Sequence, residues 1–305
     1  MAEVTAPYDG VMFFPVTPFD DRDRVAVDLL DEHIGGRLEH GPAAVFAACG
    51  TGEYHALSVA EYRVVVERAV AVTQGRVPVF GGTGGPLGHA REIARAAEES
   101  GVDALLVMPP YLVTAPQSGL IAYVEAIAAA TALPLVIYHR GAASFTADSI
   151  TRLLESPRVI GIKDGVGDVA LAQEFVLLAQ KAGRSDILFF NGLLTAELSQ
   201  AAYRAVGVPL YSSATFAMAP EIANAFYRAY RDHDEALQRI FLDEFYAPLV
   251  HLRDEVPGFA VALIKAGLRL AGLPVGSVRA PLRDPNAAQE ERLAAILARG
   301  HELAG

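Results

Sequence analysis

Short apolar segments alternate with longer amphipathic segments from residue 11 to residue 212, and this alternation limits the possible folds more than any other feature. The apolar segments are too short for helices and are rich in β-branched residues, which is typical of buried strands. Eight strands are predicted, at 11–16, 43–48, 77–80, 104–108, 135–138, 159–163, 187–190 and 210–212. Helices are predicted between them, at 28–40, 58–74, 87–100, 117–131, 147–155, 169–182 and from 195 onward.

Eight β-then-α units in succession predict an α/β protein with a (β/α)8 TIM-barrel fold. A doubly wound parallel sheet is the alternative, but the regular spacing and the absence of a Pro-, Gly- or Ser-rich linker favour the barrel. Residues 1–219 are therefore assigned to the catalytic barrel core. Residues 220–305 are predicted to form helices, broken near Pro257 and Pro274, that pack on the barrel as a C-terminal appendage.

The composition limits the partners and the compartment. A net charge of −11 argues against nucleic-acid binding and against an anionic membrane surface, although a local site can still bind a small anion. Cys49 is the only cysteine, so no internal disulfide can form, which suits a reducing compartment. Residues 1–9 lack a signal-peptide pattern, and no apolar stretch is long enough to cross a membrane. We therefore expect a cytoplasmic protein that acts on a small molecule.

The strand predicted at 159–163 ends in Lys163, which is a rare residue type in this chain. The other lysines are Lys181 and Lys265, so arginine is the usual cation here. A lysine amine can lose its proton and attack a carbonyl carbon, whereas a guanidinium stays charged and is a poor nucleophile. The alternative interpretation is a structural lysine whose side chain reaches from the strand end into water.

Active sites of (β/α)8 barrels lie at the C-terminal ends of the strands, so the residues that follow each predicted strand are the candidates. These candidates are Gly50 and Thr51 after the second strand, Tyr111 after the fourth, Tyr138 and Arg140 at the fifth, Lys163 at the sixth, Asn191 and Gly192 after the seventh, and Ser212 and Ser213 at the eighth. Their predicted convergence on one rim favours a functional role for Lys163.

Two of these candidates have open alternatives. Tyr138 either packs in the core or relays protons beside Lys163, and Arg140 is either a fork for a carboxylate or a surface cation. His139 points to the opposite side of its strand and is interpreted as structural. The histidines are scattered, without a metal-binding spacing, so no metal site is expected.

Glycine-rich loops follow the second and third strands, at 50–52 and 81–85. Neither has the sequence of a phosphate-binding loop or a dinucleotide fingerprint, so nucleotide binding is weakly supported. Tight turns with bare backbone N–H groups that face a ligand carboxylate are the simpler interpretation. For 81–85 the need to turn the chain explains the glycines equally well.

These residues together resemble the dihydrodipicolinate synthase / N-acetylneuraminate lyase superfamily, from Gly10 to about Leu282. The motifs that carry the resemblance are Phe14-Pro15-Val16-Thr17, Gly50-Thr51-Gly52-Glu53, Pro109-Pro110-Tyr111-Leu112, Gly161-Ile162-Lys163-Asp164-Gly165-Val166-Gly167-Asp168, Tyr211-Ser212-Ser213-Ala214, Pro257-Gly258-Phe259-Ala260 and Lys265-Ala266-Gly267. The resemblance implies a class I lyase that forms a Schiff base on a (β/α)8 barrel.

Several positions distinguish the branches of this superfamily. Synthases have a hydroxyl residue where this chain has Gly50, a tyrosine donated to the neighbouring subunit at Leu112, and a carboxylate-binding arginine at Ala143. Here the arginine is Arg140 instead. These differences resemble the dehydratase branch, although His139, Leu194 and Ala217 depart from its usual residues.

The resemblance implies dehydration and decarboxylation of 5-dehydro-4-deoxy-D-glucarate to 2,5-dioxopentanoate, through an imine on Lys163 and without a metal or organic cofactor. Tyr138 is expected to move protons, and Gly50 and Thr51 to hold a carboxylate. Asn191, Ser212 and Ser213 are expected to bind the distal polar end of the substrate, with Tyr111, Arg140 and Gly192 as further contacts.

The resemblance also implies a homo-oligomer, a dimer or a tetramer. Each active site is expected to be self-contained, because Leu112 replaces the shared tyrosine. Another class I aldolase or lyase that acts on a 2-keto acid, and a barrel that binds a keto acid without catalysis, remain open as alternatives. A metal-dependent aldolase is disfavoured because the sequence lacks a cluster of His and Glu.

Overall fold

Eight parallel strands form a closed barrel in this computed structural model, which describes residues 8–305. Each strand pairs with the next along the chain, and the eighth pairs with the first, so the predicted (β/α)8 barrel is confirmed. The strands are β1 (Met12–Phe13), β2 (Ala44–Ala47), β3 (Val79–Thr83), β4 (Ala104–Val107), β5 (Leu135–His139), β6 (Val159–Asp164), β7 (Leu188–Asn191) and β8 (Leu210–Ser213). Most of residues 1–9, for which no signal peptide is predicted, lies outside the described residues.

Helices follow the strands and surround the barrel. They are α1 (Val27–Leu38), α2 (Val59–Thr73), α3 (Leu87–Glu99), α4 (Gln117–Ala128), α5 (Ala147–Leu154), α6 (Val169–Lys181), α7 (Gln200–Ala205) and α8 (Thr215–Met218). A capping box starts α2, as its sequence predicts: the Ser58 hydroxyl accepts from the Glu61 N–H, and the Glu61 carboxylate accepts from the Ser58 N–H.

Five more helices complete the chain. They are α9 (Pro220–Arg231), α10 (Glu235–Phe241), α11 (Ala247–Asp254), α12 (Phe259–Leu270) and α13 (Ala287–Ala304), with a π-helical turn at Leu242–Tyr246 between α10 and α11. The first of them, α9, begins at Pro220. In the part of the chain that the structure describes, no helix combines the length and the apolar character needed to cross a bilayer.

Aromatic residues fill the interior of the barrel below its C-terminal rim. The rings of Phe14 and Phe46 stack with their centroids 4.5 Å apart, and Phe46 stacks on Phe80 at 4.3 Å. Phe190 joins them with its centroid 5.8 Å from that of Phe46. Side chains alternate across a strand, so the next inward-facing side chain of each strand lies above this apolar floor. These side chains are therefore at the barrel mouth.

Candidate active site

Lys163 lies at the mouth of the barrel, directly above the aromatic floor. Its residue is 5 % exposed, and its Nζ is 4.1 Å from the centroid of the Phe14 ring and 4.6 Å from that of Tyr138. Lys163 is in register with Tyr138 on β5 and with Phe190 on β7, so these three side chains share one face. The predicted proximity of Lys163 and Tyr138 is therefore present in the structure.

Among the described residues that shift the pKa of Lys163, none is an aspartate or a glutamate. Burial lowers the pKa of Lys163 to about 7, with Arg140 adding to the decrease and Cys49 opposing it. A large fraction of this amine is neutral near pH 7, and only the neutral amine has the lone pair that attacks a carbonyl carbon. Lys163 thus has the properties of a nucleophile rather than of a structural cation.

Tyr138 presents its hydroxyl beside this amine. The Tyr138 hydroxyl donates to the carbonyl oxygen of Gly192 at 2.8 Å and accepts from Nη1 of Arg140 at 2.7 Å. Burial raises the pKa of Tyr138, while the charge of Arg140 and its hydrogen bond oppose the increase. The phenol therefore stays protonated at neutral pH and is fixed in place, which suits a group that gives and retrieves one proton.

Two glycines allow this close packing. A Cβ atom at Gly192 would lie 2.3 Å from Cε of Lys163, and one at Gly165 would lie 2.7 Å from Cε2 of Tyr138. Neither position can carry a side chain without displacing one of the two central residues. Gly192 is a predicted site residue, whereas Gly165 belongs to the motif around Lys163 and was not predicted to be in the site.

A cavity of about 570 Å³ opens above Lys163. Seven of the ten predicted site residues line it: Gly50, Thr51, Tyr138, Arg140, Lys163, Gly192 and Ser212. Its formally charged lining residues are Lys163, Arg140 and Arg253, and no Asp or Glu lies among the described residues that line it. The cavity is therefore a local cationic site in an acidic protein, which favours an anionic ligand.

The other three predicted residues do not line this cavity. Tyr111 is 63 % exposed on the loop after β4. The side-chain amide of Asn191 donates to the carbonyl oxygen of Ala196 and to the Ser199 hydroxyl, on the outer side of β7. The Ser213 hydroxyl is buried and accepts from the N–H of Phe216. Asn191 and Ser213 thus hold the loops that follow β7 and β8.

His139 occupies the structural position predicted for it. Its ring is buried against Phe175, on the side of β5 opposite to Tyr138, and its Nδ1 accepts from the N–H of Phe145 at 2.9 Å. Burial lowers the pKa of His139. The neighbouring Asp164 carboxylate accepts from the hydroxyl of Tyr203 and from the N–H of Gly167, which orders the loop after Lys163.

The C-terminal helices form one wall of the cavity, which the sequence did not reveal. Arg253 on α11 and Val261 and Ile264 on α12 line it. Nη1 of Arg253 donates to the Thr195 hydroxyl at 2.7 Å, and the rest of its guanidinium pairs with Asp254. No local motif distinguishes Arg253 from the other arginines, so its position depends on the tertiary packing of α11.

Among residues 8–305, no three His, Cys, Asp or Glu side chains are close enough together to hold a metal ion. The described titratable groups around the cavity are instead an amine, a phenol, guanidinium groups and the imidazole of His55. This set of groups fits proton transfer and the binding of carboxylates.

Comparisons with known proteins agree with this geometry. Residues 7–299 match the sequence profile of the dihydrodipicolinate synthetase family. The chain is 51 % identical to a protein of Streptomyces coelicolor named "Probable 5-dehydro-4-deoxyglucarate dehydratase 2", over 97 % of this chain and 91 % of the relative. It is 38 % identical to the 5-dehydro-4-deoxyglucarate dehydratase of Pseudomonas putida, over 95 % of this chain and 94 % of that protein.

A solved structure supports the fold independently. The crystal structure of dihydrodipicolinate synthase from Oceanobacillus iheyensis superposes with a TM-score of 0.89, covering 98 % of both chains. The sequence identity is 22 %, so this likeness concerns the barrel and its C-terminal helices rather than the substrate.

Proposed function

The chain belongs to the dihydrodipicolinate synthetase family, and on this basis we propose that it converts 5-dehydro-4-deoxy-D-glucarate to 2,5-dioxopentanoate, water and carbon dioxide. Relatives that carry the name of this dehydratase match nearly the whole chain. The observation that carries the proposal is the buried amine of Lys163, whose pKa is about 7, beside the phenol of Tyr138.

The charge of the cavity suits this substrate. 5-Dehydro-4-deoxy-D-glucarate is a six-carbon dianion with a carboxylate at each end and a ketone at C5. The cavity offers Arg140 near Lys163 and Arg253 on the wall formed by the C-terminal helices, together with the bare amides of the Gly50–Thr51 loop. We assign the C6 carboxylate, next to the ketone, to Gly50 and Thr51.

The reaction begins with an imine. The lone pair of Lys163 Nζ attacks C5, and the resulting carbinolamine loses the former ketone oxygen as water. Tyr138 supplies the proton that this oxygen needs in order to leave, and its bond to Arg140 stabilises the phenolate that remains. The protonated imine then withdraws electrons from the neighbouring carbon atoms.

Dehydration follows from this electron withdrawal. C4 loses a proton, because the electron pair left behind is delocalised into the imine. The hydroxyl group on C3 then takes a proton from the phenol of Tyr138 and leaves as water. The phenolate of Tyr138, whose ring centroid lies 4.6 Å from Lys163 Nζ, is the base that accepts the C4 proton. The product is a double bond between C3 and C4 that is conjugated with the imine.

Decarboxylation uses the same electron sink. The electrons of the C1–C2 bond move through the conjugated system to the imine nitrogen, so C1 leaves as carbon dioxide. C4 takes up a proton, the enol at C2 becomes an aldehyde, and one water molecule hydrolyses the imine and frees Lys163. The sequence of steps releases one net water and one carbon dioxide, takes up one net proton from water, and involves no oxidation or reduction.

Four of the predicted binding residues have separate roles in this proposal. Ser212 faces the cavity and is assigned to the hydroxyl groups of the substrate. Asn191 and Ser213 are assigned to positioning the β7 and β8 loops, since their polar atoms are bonded there. Tyr111 remains a prediction as a contact for bound substrate.

The experiment is a product assay with 5-dehydro-4-deoxy-D-glucarate. We expect carbon dioxide and 2,5-dioxopentanoate in equal amounts. Release of pyruvate, with no carbon dioxide, would identify a different C–C lyase of the same chemistry. Saturable binding without any product would identify a barrel that binds keto acids without catalysis.

The assembly and the location remain predictions of the family resemblance, namely a cytoplasmic homo-oligomer. An exposed apolar run at the rim, formed by Tyr111, Leu112 and Val113, supports an oligomer, because such a run is unfavourable in water. Leu112 is 84 % exposed. Light scattering of the purified protein is expected to give the mass of a dimer or a tetramer.

A further inference from the structure

A second buried lysine, Lys265 on α12, forms an ion pair with Glu53. The distance from Lys265 Nζ to Glu53 Oε1 is 2.6 Å, and both residues are 0 % exposed. Lys265 also donates to the carbonyl oxygen of Ser277 at 2.9 Å, and its Nζ lies 4.2 Å from the ring centroid of Phe19. The pair is therefore fixed in the interior and isolated from water.

Glu53 ends the loop that carries Gly50 and Thr51 into the cavity. Its backbone has φ 56°, in the left-handed region that is unfavourable for a residue with a side chain. A glycine would adopt this conformation more readily, so the carboxylate has a role that outweighs the unfavourable backbone. Besides the ion pair, Glu53 Oε2 accepts from the N–H of Arg279 at 2.8 Å.

Backbone carbonyl groups of the same loop, those of Gly50 and Gly52, accept further hydrogen bonds. The Glu53 N–H donates to the Gly50 carbonyl oxygen at 3.1 Å, and the Thr17 hydroxyl donates to the Gly52 carbonyl oxygen at 2.7 Å. A Cβ at Gly52 would lie 3.1 Å from the backbone of Ala48. The loop is thus a tight turn whose position depends on the anchor at Glu53.

Lys265 connects this loop to the wall of the cavity that α12 forms. The helix that carries it, α12, also contributes Val261 and Ile264 to the cavity lining. The ion pair thereby joins the end of the Gly50–Thr51 loop to a helix that also lines the cavity. A buried ion pair contributes little net stability compared with apolar residues of similar volume, so its presence calls for another role.

We propose that Glu53 and Lys265 are positioning residues that hold the Gly50–Thr51 loop in register with α12, so that its amides and hydroxyl bind the carboxylate next to the ketone of the substrate. This inference rests on the proposed function for the identity of the substrate. It makes the C-terminal helices part of the binding machinery, although they contribute no group to the chemistry.

The experiment compares Glu53→Gln and Lys265→Met with the wild-type enzyme. Both variants are expected to raise KM for the keto-diacid by on the order of 10- to 100-fold, because a misplaced anchor weakens every contact that depends on it. Changes in kcat are expected to be smaller. Since Lys265→Met can impair folding, the near-isosteric Glu53→Gln is the decisive variant.

A second measurement does not depend on turnover. Pyruvate, the smallest 2-keto acid with the same carboxylate-ketone unit, is trapped on Lys163 with borohydride, and the pyruvate concentration for half-maximal trapping is determined. It is expected to rise by the same factor as KM in Glu53→Gln. If the wild type traps pyruvate but releases no carbon dioxide from the diacid, the proposed function fails while this titration still tests the ion pair.

Arg269→Met is the matched control. Arg269 lies on the same helix and bonds the same C-terminal segment, at the carbonyl oxygen of Gly276 and at Asp284 and Glu290, outside the cavity. Its KM and trapping concentration are expected to match the wild type. A folded Glu53→Gln protein with a lower melting temperature but unchanged KM and trapping concentration would overturn the proposal, since the pair would then be structural only.

Discussion

Lys163 and Lys265 are both buried lysines, but among the described residues only Lys265 has a carboxylate partner. Burial lowers the pKa of both. An arginine adds to the decrease at each site, Arg269 at Lys265 and Arg140 at Lys163, but only at Lys265 do described carboxylates, chiefly that of Glu53, oppose it. The same residue type is thus prepared for two tasks by what surrounds it.

The difference between the surroundings of Lys163 and Lys265 shows how this barrel gives one buried lysine a chemical role and the other a structural role. An unpaired buried amine is unfavourable for folding, because the unfolded chain keeps a proton that the folded chain releases. Lys163 is such an unpaired buried amine, and it lies at the end of β6, where the proposed reaction needs a nucleophile. Lys265, in contrast, pairs with Glu53 and connects a loop to a helix.

The largest expected effect is the loss of catalysis in Lys163→Arg. A guanidinium stays charged and cannot form the imine, so kcat/KM for the keto-diacid should fall by at least about 10⁴-fold, to the background rate. Steady-state carbon dioxide release measures it, with circular dichroism to verify the fold. Substantial activity in this variant would remove the distinction between the two lysines.

A lysine-to-methionine exchange is expected to change stability in opposite directions at the two sites. Lys265→Met leaves Glu53 buried without a partner and should lower the free energy of unfolding by about 3–5 kcal/mol. Lys163→Met removes an unfavourable amine and should raise it by on the order of 3 kcal/mol at pH 7. Denaturant unfolding of both variants checks this.

The increase in the free energy of unfolding that we expect for Lys163→Met depends on pH. The folded-state pKa is lowered from 10.5 to about 7, so between these values the unfolded chain binds a proton that the folded chain does not. Wild-type stability therefore rises with pH across this window, and the advantage of Lys163→Met disappears near pH 10.5. The same sign of change in both variants would contradict the comparison.

Space around the reactive amine is tested by Gly192→Ala. The new methyl group would collide with the Lys163 side chain, since its Cβ would lie 2.3 Å from Cε. We expect kcat/KM to fall on the order of 100-fold, with Lys265 and its surroundings unaffected. Gly88→Ala in α3 is the control, because nothing lies within 4 Å of its Cβ position, and its activity should not change.

The smallest expected effect is the change of kcat/KM with pH in the wild-type enzyme. With a pKa of about 7 for Lys163, kcat/KM should rise about tenfold per pH unit below pH 7 and level off above it, as the amine becomes neutral. A plateau that begins only near pH 10 would mean that Lys163 is as solvated as a surface lysine.

The barrel and its central pair of residues follow from local patterns in the sequence. Each strand is a short apolar run, and each is followed by an amphipathic helix, so eight repeats leave few alternative folds. Lys163 and Tyr138 are found because both end a predicted strand at the same rim. Backbone periodicity alone brings them together.

The same periodicity could have placed Asn191 and Ser213 correctly. Side chains alternate across a strand, which is the argument that assigned His139 to the outer side of β5. Phe190 points into the barrel, so Asn191 points outward, and Ser212 and Ser213 divide in the same way. The prediction relied on position at the rim and did not apply the alternation at these two strands.

Other site features depend on tertiary packing and have no local pattern. Glu53 and Lys265 stand in quoted motifs, but their pairing joins segments far apart in the chain. The left-handed backbone of Glu53 is equally hidden, because a glutamate does not indicate a positive φ. Arg253 reaches the cavity only because α11 packs over the barrel mouth.

The most direct test of the central claim is borohydride reduction of the enzyme during turnover, followed by peptide mapping by mass spectrometry. The chain offers only Lys163, Lys181 and Lys265 as sites, which makes the assignment unambiguous. We predict a reduced adduct on Lys163 and unmodified peptides for the other two lysines. Active enzyme that yields no adduct, or an adduct on Lys265, would contradict the account.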